Sequence, residues 1–459
     1  MKGWLTKSQK QFILEHLGQH TELPQEILDA FSFGTQSAPS DLCIQFHTSE
    51  DPLDLDHILW IDKIPVLYPV RDQADRFYSI QGKNLIFHHD LLKSAFHMLS
   101  GYEEFKIKSL DSYGRFPYQD SIQSKLGITG KPIVNYYFEH ILDGIEEFCR
   151  INKIPFERFP VFRRPVFMLS HDIDLVSEFG FFGTGFRFKQ LLGLAPATMS
   201  RKNHFLRAFE ALFHFLNPFS GKDPYWNFEG LMDWAEDRGF RGTYFFLERE
   251  GGRNDNSRYH FHWKKFRRLF RELDSRGHEV GIHGTIQSAT SQASMDRSVQ
   301  NLREASPSPV EGIRQHYLKF TPGITGQIQQ NAGLVYDATM GFAEHEGFRH
   351  SYCWPFRQYD FELDRSLDIW EIPLIVMDTT LFNYRKLDLS SSQATIEKLL
   401  TEVVKFNGVF SLLWHNNFFD EREFPGITKL YTSILDLCHE QNLEGLTGKK
   451  IVDRMRFAK

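Results

Sequence analysis

Two apolar rhythms alternate along the chain beyond about residue 160. Short continuous apolar runs recur as VFMLS (166–170), GTYFFL (242–247), EVGIH (279–283), VEGIRQH (310–316), LVYDATM (334–340), DIWEIPLIV (368–376) and VFSLLWH (409–415). Runs of that length read as buried strands. Between them, apolar residues keep helical spacing: Phe228, Leu231, Met232 and Ala235; Trp263, Phe266, Phe270 and Leu273; Ile396, Leu399, Leu400 and Val403; Leu430, Tyr431, Ile434 and Leu437. Gly239 and Gly277 close the first two helices, since glycine takes positive φ at little cost. PGITGQIQQNAG reads as a short helix opened by Pro322. About seven strands, mostly separated by helices, predict a parallel α/β sheet, and the count favours a distorted (β/α) barrel over an open sheet.

The first part is less regular. DLCIQFH (41–47) and IPVLYPV (64–70) read as strands, and 90–105 and 133–149 as helices. In IPFERFPVFRRP, Pro155, Pro160 and Pro165 bar helix and central strand, so this segment reads as an extended connector. The expected organisation is a smaller α/β N-terminal domain over 1–160, free of catalytic groups, followed by the barrel over 161–459. Residues 180–222 form an insertion in the barrel. They hold nine Phe and six basic residues, including Arg187, Lys189, Arg201 and Lys202, against the single acid Glu210. Phe205, Phe209, Leu212 and Phe213 fall on one helical face. Contact with an anionic membrane and a helical cap over the barrel mouth both fit this pattern.

Composition narrows the classes. The 459 residues carry a net charge of −6, which counts against a nucleic-acid binder. Cys43, Cys149, Cys353 and Cys438 are scattered and form no CxxC pair, so they read as reduced thiols. The opening MKGWLTKSQKQFILEHLGQH has no apolar run of signal-peptide length, so a cytoplasmic location is expected.

Reactive residues gather at strand ends, where (β/α) barrels place their chemistry. The first strand leads into His171, Asp172 and Asp174; the third ends in His283, the fourth in Arg314 and His316, the last in His415. Asp172 and Asp174 are two apart, so in extended backbone they point to one side. Two such carboxylates repel unless a cation or a proton lies between them. One can hold the cation while the other acts as base. A neutral imidazole at His283 suits a divalent ion. His278 falls on the opposite strand face. Arg314 can orient the base, and His415, on the strand that closes the barrel beside the first, can serve as general acid.

These residues resemble the polysaccharide deacetylase (NodB-homology, carbohydrate esterase family 4) superfamily. The similarity is greatest to a bacterial branch with an extra N-terminal domain of unassigned function. It rests on SHDID (170–174), EVGIH (279–283), GIRQHYLKF (312–320), YDATMGFA (336–343), GFRHSY (347–352), EIPLIVMD (371–378) and LLWHN (412–416), with MLSGYEEF (98–105) and GRFPYQDS (114–121) in the first part. The resemblance implies a divalent metal, zinc or a harder ion such as manganese. It makes Asp172 the catalytic base and Asp174 and His283 ligands, and it carries Arg314, Leu413 and His415 over from further motifs. The superfamily's second histidine ligand, four residues after the first, is replaced here by Gln287; either Gln287 or another polar group supplies the third contact, or water fills the gap and binding is weak. The implied activity is hydrolysis of a sugar N-acetyl group, a non-peptide C–N bond. Asp172 would deprotonate the water and His415 would protonate the leaving amine. The expected substrate is a cytosolic glycan precursor, lipid- or nucleotide-linked. The alternatives are hydrolysis of another amide or ester, such as an O-acetyl group or a cyclic amide, and a degenerate barrel that binds glycan without turnover.

Overall fold

The computed structural model describes residues 1, 3–34, 42–179, 181–195, 199–216, 223–249, 252 and 255–457. In the first part, a four-stranded sheet has the order β1–β2–β6–β5, with β1 at Phe31–Phe33, β2 at Ile44–Phe46, β5 at Tyr78–Gln81 and β6 at Asn84–Phe87. A separate hairpin pairs β3 (Leu59–Ile61) with β4 (Ile64–Val66). The helix expected over 90–105 divides into Leu91–Leu99 and Tyr102–Lys106, because Gly101 turns the chain at φ 69°. The helix Ile133–Asn152 packs on the small sheet, and the proline-rich connector that follows is free of helix and strand.

The second part is a distorted (β/α) barrel. Its strands are β7 (Val166–Ile173), β8 (Gly242–Leu247), β9 (Glu279–Gly284), β10 (Gly312–Gln315), β11 (Tyr336–Asp337), β12 (Phe356–Asp360), β13 (Arg365–Glu371), β14 (Val376–Met377), β15 (Val409–Leu413) and β16 (Glu444–Gly445). They run in the order β12–β13–β11–β10–β9–β8–β7–β15–β14, with β16 also on β7. All pairs are parallel except β12 with β13. The run DIWEIPLIV, expected as one strand, is two. Its first half pairs with β11 and its second with β15, at opposite ends of the hydrogen-bonded path. Pro373 between them has no N–H to donate, and the segment changes partner there. Leu374 N–H reaches Met340 O, while Ile375 N–H reaches Ser411 Oγ. This one segment passes from one side of the curled sheet to the other.

The two parts share a core. One apolar cluster runs from Phe12 and Phe96 through Tyr359 to β7 and the last helix, Gly448–Phe457. Phe12 and Phe96 meet Tyr359 edge-on at 5.1 and 5.0 Å, seating the N-terminal helices on the β12–β13 hairpin. Residues 181–191 and 201–216 form the two helices of the insertion; Phe219 and Lys222 lie outside the described residues. Among the described residues no helix is long and apolar enough to cross a membrane. All four cysteines are buried, and none is in a disulfide.

Candidate metal centre and active site

Strand register assembles the site. Leu413 lies opposite Ser170, so two residues further His415 is level with Asp172. Ile173 lies opposite Phe246, and Leu247 opposite His283, so Asp174 and His283 share the next level. Arg314 is opposite His283 on β10. The alternation along β7 sends Asp172 and Asp174 to the mouth and His171 the other way. There His171 Nδ1 meets Trp414 O at 2.7 Å and its ring packs on Tyr244.

Asp174, His283 and His316 offer ligand atoms all within 4.8 Å of one another. His283 Nε2 is 3.3 Å from Asp174 Oδ1, and His316 Nε2 is 3.6 Å from Asp174 Oδ2. The tautomer follows from the outer partners. His283 Nδ1 faces the Arg314 carbonyl at 2.8 Å, which can only accept, so the proton sits on Nδ1. The lone pair of Nε2 then faces a carboxylate oxygen. Both atoms are buried, and neither has a hydrogen-bond partner among the described residues. Two acceptors in that arrangement call for a cation, so the residues fit a divalent ion. His316 Nδ1 faces Asp255 Oδ1 at 2.6 Å, which turns its Nε2 to the same point.

The expected third contact was Gln287; the third metal-competent side chain is His316. β9 ends at Gly284 and the chain enters turns, not a helix, so an offset of four does not return to the same face. Gln287 is exposed, away from the pocket, and its carbonyl accepts from Thr290 N–H in that turn. His316 comes instead from the neighbouring strand. Just past β10 the chain adopts positive φ at Tyr317 (59°) and Leu318 (54°), which folds His316 over the mouth. Such backbone is costly for non-glycine residues and persists where the surroundings hold it. Here the N-terminal part does the holding. Arg115 Nη1 donates to Tyr317 O at 3.0 Å, Tyr113 stacks on Tyr317 at 4.7 Å, and Lys319 bonds Gly114 O.

The remaining groups flank the ligands. Arg314, fully buried, donates to Asp172 Oδ1 at 2.9 Å and to Ser170 Oγ at 3.0 Å, and its Nε bonds Ala338 O at 2.8 Å. Asp172 Oδ2 lies 3.6 Å from His283 Nε2, so the second carboxylate borders the ligand set. Across the pocket, His415 Nε2 is 3.9 Å from Asp174 Oδ2. Its Nδ1 meets Asp378 Oδ1 at 2.7 Å, and its backbone N–H donates to Asp378 Oδ2 at 2.6 Å. Burial works against charge on His415, but the Asp378 carboxylate outweighs it and lifts the pKa to about 9. Burial likewise opposes charge on His316, and Asp174 with Asp255 raises it to about 10. Asp174 is held well below the usual carboxylate range: burial opposes its charge, and the neighbouring His316 imidazolium overcomes that. Leu318, Ala343 and Met377 form an apolar wall of the ≈180 Å³ pocket, backed by Leu413. Tyr317, Tyr384 and Arg115 complete its rim.

Asp378 and Asp255 were not singled out in the sequence. Asp378 closes the run EIPLIVMD, and Met377 pairs with Leu413, which sets it beside His415. Asp255 lies in a loop whose pattern carries no periodic signal.

The comparisons with known proteins divide along the chain. Residues 9–149 match the family described as "Family of unknown function (DUF7033)". No curated protein matches the sequence. Among solved structures, a chain from Mycobacterium smegmatis assigned as a polysaccharide deacetylase is 15% identical with a TM-score of 0.42, over 66% of this chain and 93% of that one. One from Pseudomonas aeruginosa PAO1 with the same assignment is 12% identical with a TM-score of 0.36, over 50% and 72%. A CE4 family pseudoenzyme from Bacillus Anthracis is 9% identical with a TM-score of 0.33, over 64% and 67%.

Proposed function

We propose that the protein is a metal-dependent hydrolase that removes an N-acetyl group from a sugar of a glycan or glycan precursor. The observation that carries this reading is the buried, partnerless pair of His283 Nε2 and Asp174 Oδ1, completed by His316 and flanked by Asp172 and His415. When bound there, a divalent ion supplies Lewis acidity and lowers the pKa of water. Two nitrogens and a carboxylate suit zinc or manganese. Asp172, fixed by Arg314, accepts a proton from the attacking water. His415, charged at neutral pH through Asp378, donates a proton to the departing amine nitrogen. Leu318, Ala343 and Met377 offer the acetyl methyl an apolar wall, and the Tyr317 and Tyr384 rings offer flat faces to a sugar. Four cysteines without a disulfide favour a cytoplasmic location, and with it a nucleotide- or lipid-linked substrate.

The reading as a barrel that binds glycan without turnover drew on the absence of a histidine at 287. His316, beside Asp174 and His283, offers a third donor atom in place of a histidine at 287, which supports turnover over that reading. The test is metal content of the purified protein, with acetate release from N-acetylated sugars measured for stripped and reloaded protein. Release that follows metal loading is expected. A fully loaded protein that releases no acetate from N-acetylated sugars overturns the proposal.

A further inference from the structure

The insertion is built with its polarity reversed. Helices Phe181–Leu191 and Arg201–Leu216 pack side by side between Asp174 and β8. Arg187 and Arg207, 4% and 6% exposed, turn inward. Arg187 pairs with Glu178 at 2.8 Å and Glu423 at 2.9 Å, and Arg207 pairs with Glu178 at 3.3 Å and with Asp420. On the opposite face Phe205, Phe209 and Phe213, one helical turn apart, are 59%, 62% and 54% exposed, and Phe186, Leu192 and Leu194 are exposed beside them. A helix resting on a protein core ordinarily does the reverse. An apolar face so displayed marks a surface with a non-aqueous partner.

Charge selects the partner. Lys189, Arg201 and Lys202 are the exposed charged side chains described on the hairpin, and all are basic in a chain of net charge −6. Its one acid, Glu210, is paired with Arg207 and Arg422. A second copy on this face would set cations against cations across a two-fold axis. We infer that the outer face of helices Phe181–Leu191 and Arg201–Leu216 docks on an anionic lipid bilayer, with the three phenylalanines in the acyl boundary and the three basic residues among the head groups.

The hairpin is tied to two segments that lead away from the site. Glu178 lies on the segment leaving Asp174, and Asp420 and Glu423 lie on the segment leaving His415. Docking therefore brings the pocket rim to the head-group layer, within reach of a sugar anchored by a lipid tail. That last step rests on the proposed deacetylase reading; the docking does not.

The test is co-sedimentation of the full chain with phosphatidylcholine vesicles, with and without about 30% phosphatidylglycerol. Binding is expected on the anionic vesicles and is weakened by salt. Phe205→Glu/Phe209→Glu/Phe213→Glu abolishes it, and Lys189→Gln/Arg201→Gln/Lys202→Gln weakens it by about 100-fold. These side chains are exposed, so both variants keep the wild-type Tm. Absence of binding, equal binding to neutral vesicles, or wild-type binding by the phenylalanine variant overturns the inference. So does a dimer in solution that the phenylalanine variant dissociates. No outcome depends on hydrolysis, so failure here is separable from failure of the proposed activity.

Discussion

Replacing His316 by Ala, with Gln287→Ala as its control, tests the ligand set directly. His316 supplies one of three ligand atoms that lie within 4.8 Å of one another, whereas Gln287 faces solvent. Catalytic zinc sites use about three protein ligands. Even loss of an outer partner of a ligand costs about 10–100-fold in affinity. Loss of His316 itself should therefore weaken zinc binding by more than about 100-fold, and Gln287→Ala should leave it unchanged. The assay is competition with a zinc-binding dye for the stripped protein. Its pH dependence carries a second check. Without the ion, Asp174 and Asp255 hold His316 as imidazolium up to about pH 10. Binding must expel that proton, so apparent affinity climbs about tenfold per pH unit below that value and levels off above it. His316→Ala removes this slope. Wild-type affinity in His316→Ala, or an equal loss in Gln287→Ala, would refute the assignment.

Asp378→Asn removes the carboxylate that lifts His415 to about 9, so the alkaline limb of the kcat/KM–pH profile should move toward neutral pH while metal content stays the same. Asp172→Asn should keep metal and lose about 100- to 10,000-fold in turnover, measured in the same acetate assay. Arg115→Ala should lower the Tm by an amount equivalent to about 1–3 kcal/mol and raise KM, through release of the Tyr317 turn, with Tyr113→Phe near wild type. Glu444, bound by Arg454 at 2.7 and 2.8 Å and by Arg164 at 3.3 Å, has its pKa lowered from 4.5 to about 2. Its folded value is depressed, so its stabilisation is present above pH 4.5 and is lost as pH falls toward 2. Glu444→Gln should flatten the decline of Tm across that window.

The barrel was legible because buried parallel strands announce themselves as continuous apolar runs; β8, β10, β11 and β15 lie within such runs, and β7 and β9 begin in them. The first part was less so. Its strands of three or four residues are too short for a period to show, and β1, β3, β5 and β6 went unread. Breaks within runs were also hidden. Gly101 divides one helix and Pro373 one strand, each by a local rule that periodicity outvoted. At the site, Asp172, Asp174, His283, Arg314 and His415 stood out because each follows a legible strand. His316 was read as a strand-end residue but not as a candidate ligand, because a sequence offset is no guide to a neighbour supplied by the next strand. His316 depends on two left-handed residues and on the distant Arg115 to turn over the mouth.

The seat of β7 between β15 and β8 has a consequence for how the chain is made. The two carboxylates of β7 emerge from the ribosome long before His415, which stands level with Asp172 only once β15 has paired. Until then β7 exposes an unpaired edge, a template for wrong partners. Contacts of such sequence separation also form slowly. Every nascent chain that ends before β15 thus carries an acid pair without the histidine that stands level with it. Synthesis is the period in which this edge is open to wrong pairing, and it ends when β15 closes on β7.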